Sequence, residues 1–209
     1  KQAPDDRKEK GILSPDEVHR LIKAPATDPR HRLAVLLGLV CGMRLGEVRG
    51  LLWEDVGDGI ISIRHNYVDS EGLKTPKYDS SGQVPFSDSV AAMLEAVRRI
   101  SRNPGPRSFI LDSLECPGKP YASSFLRKAL SRELIAIGIS KDEQKHRNIT
   151  FHSLRHTFIT LGRLAGISDM EIQVLARHRS GAMMERYSHA SQVLDFDSAR
   201  QRLKKAIGE

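Results

Sequence analysis

Five side chains in this sequence have types and spacings suited to handling a phosphate ester: Arg44 in GMRLGE, His152 and Arg155 in HSLRH, and His178 and Tyr187 in HRSGAMMERYSH. A phosphodiester under attack gathers negative charge on its non-bridging oxygens. Planar guanidinium groups answer that charge, because each donates parallel hydrogen bonds and stays ionised; Arg44 and Arg155 are a candidate clamp. A tyrosine titrates near pH 10, so only about one in a thousand is phenolate at pH 7, equivalent to ~4 kcal/mol. Tyr187 as a nucleophile therefore needs a proton acceptor or strongly cationic surroundings. His152 precedes Arg155 by three residues, which puts both on one helix face. Taken singly, each residue has an ordinary explanation: a solvated arginine at a helix start, a surface i, i+3 pair, a half-buried core tyrosine.

The joint order carries more than any one motif. It runs G-x-R-x-G-E, a basic hairpin, H-x-L-R-H, then a His nine positions before a Tyr in R-Y-S-H. From about Ile12 to Ala190 this order resembles the catalytic domain of the tyrosine recombinase, or phage integrase, family. The resemblance implies a mainly α fold with a small antiparallel β-sheet. It also implies breakage and rejoining of DNA strands through a covalent 3′-phosphotyrosyl intermediate, with Tyr187 as nucleophile. In that scheme Arg44 and Arg155 hold the phosphate, and His152 takes and returns the tyrosyl proton, which suits an imidazole titrating near neutrality. His178 falls where the family hydrogen-bonds the scissile phosphate, and a hairpin Lys protonates the leaving 5′ hydroxyl. Lys77 sits at the family's offset from Val84-Pro85, with Lys74 the earlier alternative. Glu47 matches an acidic residue that accepts a hydrogen bond from a catalytic Arg or His; an ordinary helix-surface carboxylate is the competing reading.

Two positions depart from the family pattern. Gly82-Gln83 stand where an Arg commonly comes shortly before the Val-Pro pair, and Arg177 precedes His178 where Gly is usual. Glycine matters where φ must be positive or backbones approach closely, so Arg177 is expected to sit in a helix that continues through it, with an added phosphate contact as an option. His156 and His189 read as supporting residues. His152 and His156 also resemble half of a helical metal site, but Ser153 stands where H-E-x-x-H requires Glu, and no metal is expected. No cofactor is expected either: the phosphotyrosyl bond conserves the energy of the broken ester, and cationic side chains take the place of the divalent metals of many nucleases.

The elements that must position these residues are mostly helical. Ser14-Pro15-Asp16-Glu17 reads as a capping box opening a helix to about Ala24. A second helix, His31 to about Cys41, is apolar on nearly every side, with Gly42 as terminator. A short helix follows over Gly46 to Leu52. Alternation from Ile60 and the segment Gln83 to Phe86 predict a small antiparallel sheet, joined by a long mobile connection from Tyr67 to Gln83. Ser87 caps a helix through about Ile100, and Phe109-Ile110-Leu111 reads as a short strand. Further helices are expected over Ala122 to Ile137, His152 to Ala165, Ser168 to His178, and an amphipathic tail from Val193 to Ile207. That tail either packs on its own core or docks on a neighbouring protomer.

Composition bounds the rest. At 209 residues, 39% hydrophobic, the chain can bury one substantial core. A net charge of +7 favours a polyanionic partner. Two cysteines cannot build a disulfide framework or a four-thiolate zinc site, which fits a reducing cytoplasm. The longest apolar run, Leu33 to Cys41, is far short of the ~20 residues that span a bilayer. Residues 1–10 read as a charged leader and 11–209 as the catalytic domain, an excised piece of a longer chain without its core-binding and arm-binding domains. The expected partner is double-stranded DNA, bound by a monomer in isolation and a tetramer on paired sites. A type IB topoisomerase and a catalytically silent DNA-binding regulator are the alternatives.

Overall fold

In the computed structural model, which describes residues 11–76, 81–177 and 195–209, the apolar run beginning at Leu33 becomes the axis of a helical bundle. Helix α1 (Pro15–Lys23) leads to α2 (Pro29–Leu39), in which Leu33, Leu36, Leu37 and Leu39 are all at most 1% exposed. Burying a leucine contributes about 1.5–3 kcal/mol, and α2 has no solvent face on which to lose that gain. It is enclosed by α4 (Asp88–Ile100), α5 (Ser123–Ala136) and α7 (Phe151–Leu164). Helix α2 starts two residues before the expected His31, because Asp28 caps it by accepting from the Arg30 N–H at 2.7 Å and Pro29 occupies the first turn. It stops at Leu39, short of Cys41.

Between α2 and α4 lie α3 (Leu45–Gly50), a 3-10 turn (Trp53–Asp55) and four short strands. Strands β1 (Ile60–Ile63) and β4 (Gly82–Pro85) pair antiparallel, with Ile61 opposite Val84 and Ile63 opposite Gly82. Ile61 and Ile63 face the core, as their alternation predicts. The expected long connection is partly structured: β2 (Asn66–Val68) and β3 (Gly72–Lys74) form a second hairpin, Tyr67 opposite Leu73. Gly72, at φ +73°, supplies the turn residue that strand lengths of three would not reveal. Phe109 to Leu111 is not a strand; Phe109 makes only an isolated bridge to Leu52.

The capping boxes hold. Ser14 Oγ accepts from the Glu17 N–H at 3.2 Å while Glu17 accepts from Ser14 at 2.7 Å, and Ser168 with Glu171 does the same for α8 (Asp169–Ala176). Helix α6 (Lys141–His146), capped by Ser140, was not anticipated. Helix α9 (Phe196–Ile207) lies against α1, α7 and β4 of its own chain and buries Ala199, Leu203 and Ile207. With Phe158, Ile172 and Leu175, the first two of these complete a second, smaller apolar cluster under α8. Among the described residues no helix is long and apolar enough to cross a membrane.

Candidate active site

The turn after α2 delivers Arg44. Gly42 takes φ +59°, and a Cβ there would stand 2.6 Å from the Phe158 ring, so both the backbone sign and the close approach require glycine. The chain then places Arg44, extended at φ −75° and ψ 155°, as the N-cap of α3. Glu47, one turn later, reaches back. Its Oε2 accepts the Arg44 backbone N–H at 2.9 Å and its Oε1 accepts the Arg44 Nη1 at 2.7 Å. Glu47 is 1% exposed, whereas the Arg44 side chain is 36% exposed, so the carboxylate lies behind the guanidinium and the guanidinium faces outward. The surface-carboxylate reading of Glu47 is thereby replaced by a buried one.

Arg155 comes to the same place from α7. That helix opens with Thr150 donating its N–H to Ser153 Oγ at 2.9 Å, and Ser153 is the residue standing where a zinc-protease glutamate would be. Arg155 is 2% exposed; its Nη1 donates to the Gly42 carbonyl at 2.6 Å and its Nη2 to the Ala176 carbonyl. Arg44 and Arg155 are thus held by one turn of backbone. His152, in the first turn of α7, is exposed, and its ring meets His156 edge-on at 4.7 Å.

Arg177 is the residue that sequence reasoning misjudged. Helix α8 ends at Ala176, and Arg177 adopts the left-handed conformation, φ 52° and ψ 47°, which suits the glycine usual at that position. Its guanidinium is turned into the protein: the residue is 3% exposed and donates to the Leu175 carbonyl at 2.8 Å, the Gly42 carbonyl at 3.3 Å and Glu47 Oε2 at 2.9 Å. Two arginines therefore share the Glu47 carboxylate. Burial by itself pushes the Glu47 carboxyl up, but the Arg177 charge, the Arg44 backbone N–H and the Arg44 guanidinium together hold it below its usual value. The only signal in the sequence was the oddity of a charged side chain before His178.

Arg44 opens onto a cleft of ≈ 510 Å³ shared with Arg49, Asn66, Tyr67 and Arg127, which sequence reasoning did not single out. Arg49 donates to the Tyr121 carbonyl at 2.8 Å, lies 4.8 Å above the Tyr67 ring and pairs with Asp69, which fixes one wall. Lys74, the alternative hairpin lysine, is tied to Glu71 across the β2–β3 turn. Lys77, His178, Tyr187 and His189 lie outside the described residues.

Comparison with known proteins agrees with this architecture. The model of the phage integrase family matches residues 12–193. The transposase of transposon Tn916 from Enterococcus faecalis is 28% identical over 218 residues, covering 96% of this chain and 52% of the transposase, and that of Tn1545 from Streptococcus pneumoniae matches equally. The chain therefore spans about half the length of these curated relatives. Among solved structures, the Tn1549 transposon integrase in complex with transposon right end DNA superposes with a TM-score of 0.66 at 21% identity, covering 97% of this chain and 68% of that one. XerA recombinase gives 0.62 at 23% identity, covering 98% and 65%. The likeness in fold is that of tyrosine recombinase catalytic domains, and with the family model spanning most of its length the chain belongs to the phage integrase family.

Proposed function

We propose that this chain is the catalytic domain of a site-specific DNA recombinase that cuts and rejoins strands through a 3′-phosphotyrosyl intermediate. The observation that carries the reading is the cluster at the α2–α3 turn, where Arg155 and the buried Glu47 fix the Gly42–Arg44 backbone and leave the Arg44 guanidinium facing outward. In this reading Tyr187 Oη attacks the phosphorus, its proton passing to His152. The bond from phosphorus to the tyrosyl oxygen forms as the bond to the 5′ oxygen breaks, and Lys77 protonates that oxygen as it leaves. Arg44, Arg155 and His178 hold the charge that develops on the phosphoryl oxygens. Attack by a 5′ hydroxyl from a second strand reverses the steps and releases Tyr187, so no nucleotide cofactor and no metal is called for. The partner is double-stranded DNA, with one protomer per half-site and four on paired sites. Transposases and integrases among the relatives support recombination over the topoisomerase reading.

The test is a nicked suicide substrate carrying the element's own attachment site, in which the freed 5′ end is lost by diffusion. A denaturation-resistant protein–DNA adduct is expected from the intact protein and none from Tyr187→Phe. An adduct that survives that substitution sinks the assignment, and relaxation of plasmid without any cognate site points to a topoisomerase instead.

A further inference from the structure

The Arg177 side chain crosses from the end of α8 to Glu47 by lying over β4. A Cβ on Gly82 would stand 3.2 Å from Arg177 Cγ and 3.3 Å from its Cδ, so the missing side chain at Gly82 is what leaves room for the arginine's stem. Both departures from the family pattern thus meet in one contact. At the far end of that stem, the guanidinium shares the Glu47 carboxylate with Arg44, and the carbonyl of Gly42 with Arg155. Charge bookkeeping then separates two situations. With Arg177 present, two guanidiniums sit on one carboxylate and a positive charge is left over to face a phosphate. Without it, Glu47 is left to Arg44 alone, and the carboxylate competes with phosphate for the Arg44 guanidinium.

We infer that Arg177 is a positioning residue that offsets the Glu47 carboxylate and so keeps the surroundings of the Arg44 guanidinium net positive toward the scissile phosphate, its side chain entering through the space that Gly82 leaves on β4. The inference rests on the recombinase reading, because its readout is strand cleavage. Arg177 touches no reacting atom; it acts through Glu47 and the Gly42 carbonyl.

Four proteins with the complete natural chain test it on the suicide substrate: wild type, Arg177→Gly, Arg177→Gly with Glu47→Gln, and Arg177→Gly with Gly82→Arg. Glycine accepts the left-handed backbone at position 177, so the single variant keeps the turn; Arg177→Asn, which tolerates the same backbone, replaces it if melting curves show a loss of folding. The cleavage rate at saturating DNA is expected to fall roughly tenfold or more in Arg177→Gly while the Kd for DNA changes less than about threefold, the split that marks loss of a transition-state interaction. Glu47→Gln removes the unbalanced negative charge, and Gly82→Arg returns a guanidinium by the route that the lost stem vacated. Recovery of the rate by the Glu47→Gln double variant supports the inference, since that substitution changes the charge without refilling the space that Arg177 vacates, whereas recovery by Gly82→Arg alone marks a packing role and overturns it. Wild-type rates in Arg177→Gly, or failure of the Glu47→Gln double variant to recover, also overturn it. Absence of an adduct from the wild type overturns the recombinase reading itself, a distinguishable outcome.

Discussion

Among the described residues, two arginine–glutamate pairs are buried on both sides, and they are built on opposite principles. Arg32 on α2 and Glu133 on α5 are 3% and 0% exposed, and every strong partner is accounted for. Glu133 accepts from Arg32 Nε at 2.6 Å and from Thr27, while Arg32 spends its remaining donors on the Ala24 and Pro25 carbonyls. One positive charge meets one negative, with nothing directed outward. At the site, Glu47 is as deeply buried but is shared by Arg177 and Arg44, and one of those guanidiniums reaches the cleft. A balanced pair holds helices together. An unbalanced cluster stores a field where an anion is to bind, at the expense of stability.

Breaking the balanced pair should have the largest effect on folding. Glu133→Ala leaves the Arg32 charge buried and unmatched, which costs about 3–5 kcal/mol; urea unfolding measures it, and adduct formation per folded molecule is expected to stay unchanged. Arg44→Ala reverses that profile: loss of one preorganised donor lowers the cleavage rate about 10²–10³-fold, with a midpoint of unfolding close to wild type because the side chain is 36% exposed. A smaller effect is expected from Gly42→Ala, where a left-handed non-glycine residue costs about 1–2 kcal/mol. Contact with Phe158 adds to it, and both stability and cleavage should fall together, unlike either preceding variant.

The least effect concerns acid. Arg202 on α9 and then Ser168 hold the Glu171 carboxyl down, from its usual 4.5 to about 2, so this group binds fewer protons folded than unfolded. Its contribution is therefore complete above pH 4.5 and is lost as the pH falls from there toward about 2. Thermal melts over that range should show a shallower acid decline in Glu171→Gln than in the wild type.

Much of this architecture is written in local chemistry. Caps at Ser14 and Ser168, the unbroken apolar surface of α2 and the alternation of β1 each state their element within a few residues. Helix α6 escaped because six residues, all polar or charged, carry no periodicity, and the β2–β3 hairpin because three-residue strands are too short to alternate visibly. The arginines of the site were legible for a different reason: Arg44 and Arg155 stand in motifs whose order resembles a family. Arg177 was visible only as an anomaly, since its partner Glu47 is 130 positions away and no pattern of neighbours encodes that meeting. A helix continuing through position 177 would have placed a cation at the surface; the left-handed turn sends it inward.

Two acceptors that hold Arg155 are the carbonyls of Gly42 and Ala176, and both belong to the main chain. Substitution cannot delete a carbonyl. These two bonds are therefore indifferent to which side chain stands at 176, within the volume available there, and sensitive to changes that redirect the backbone, as at Gly42. In a library of variants, position 176 would drift more freely than the residues that steer the chain.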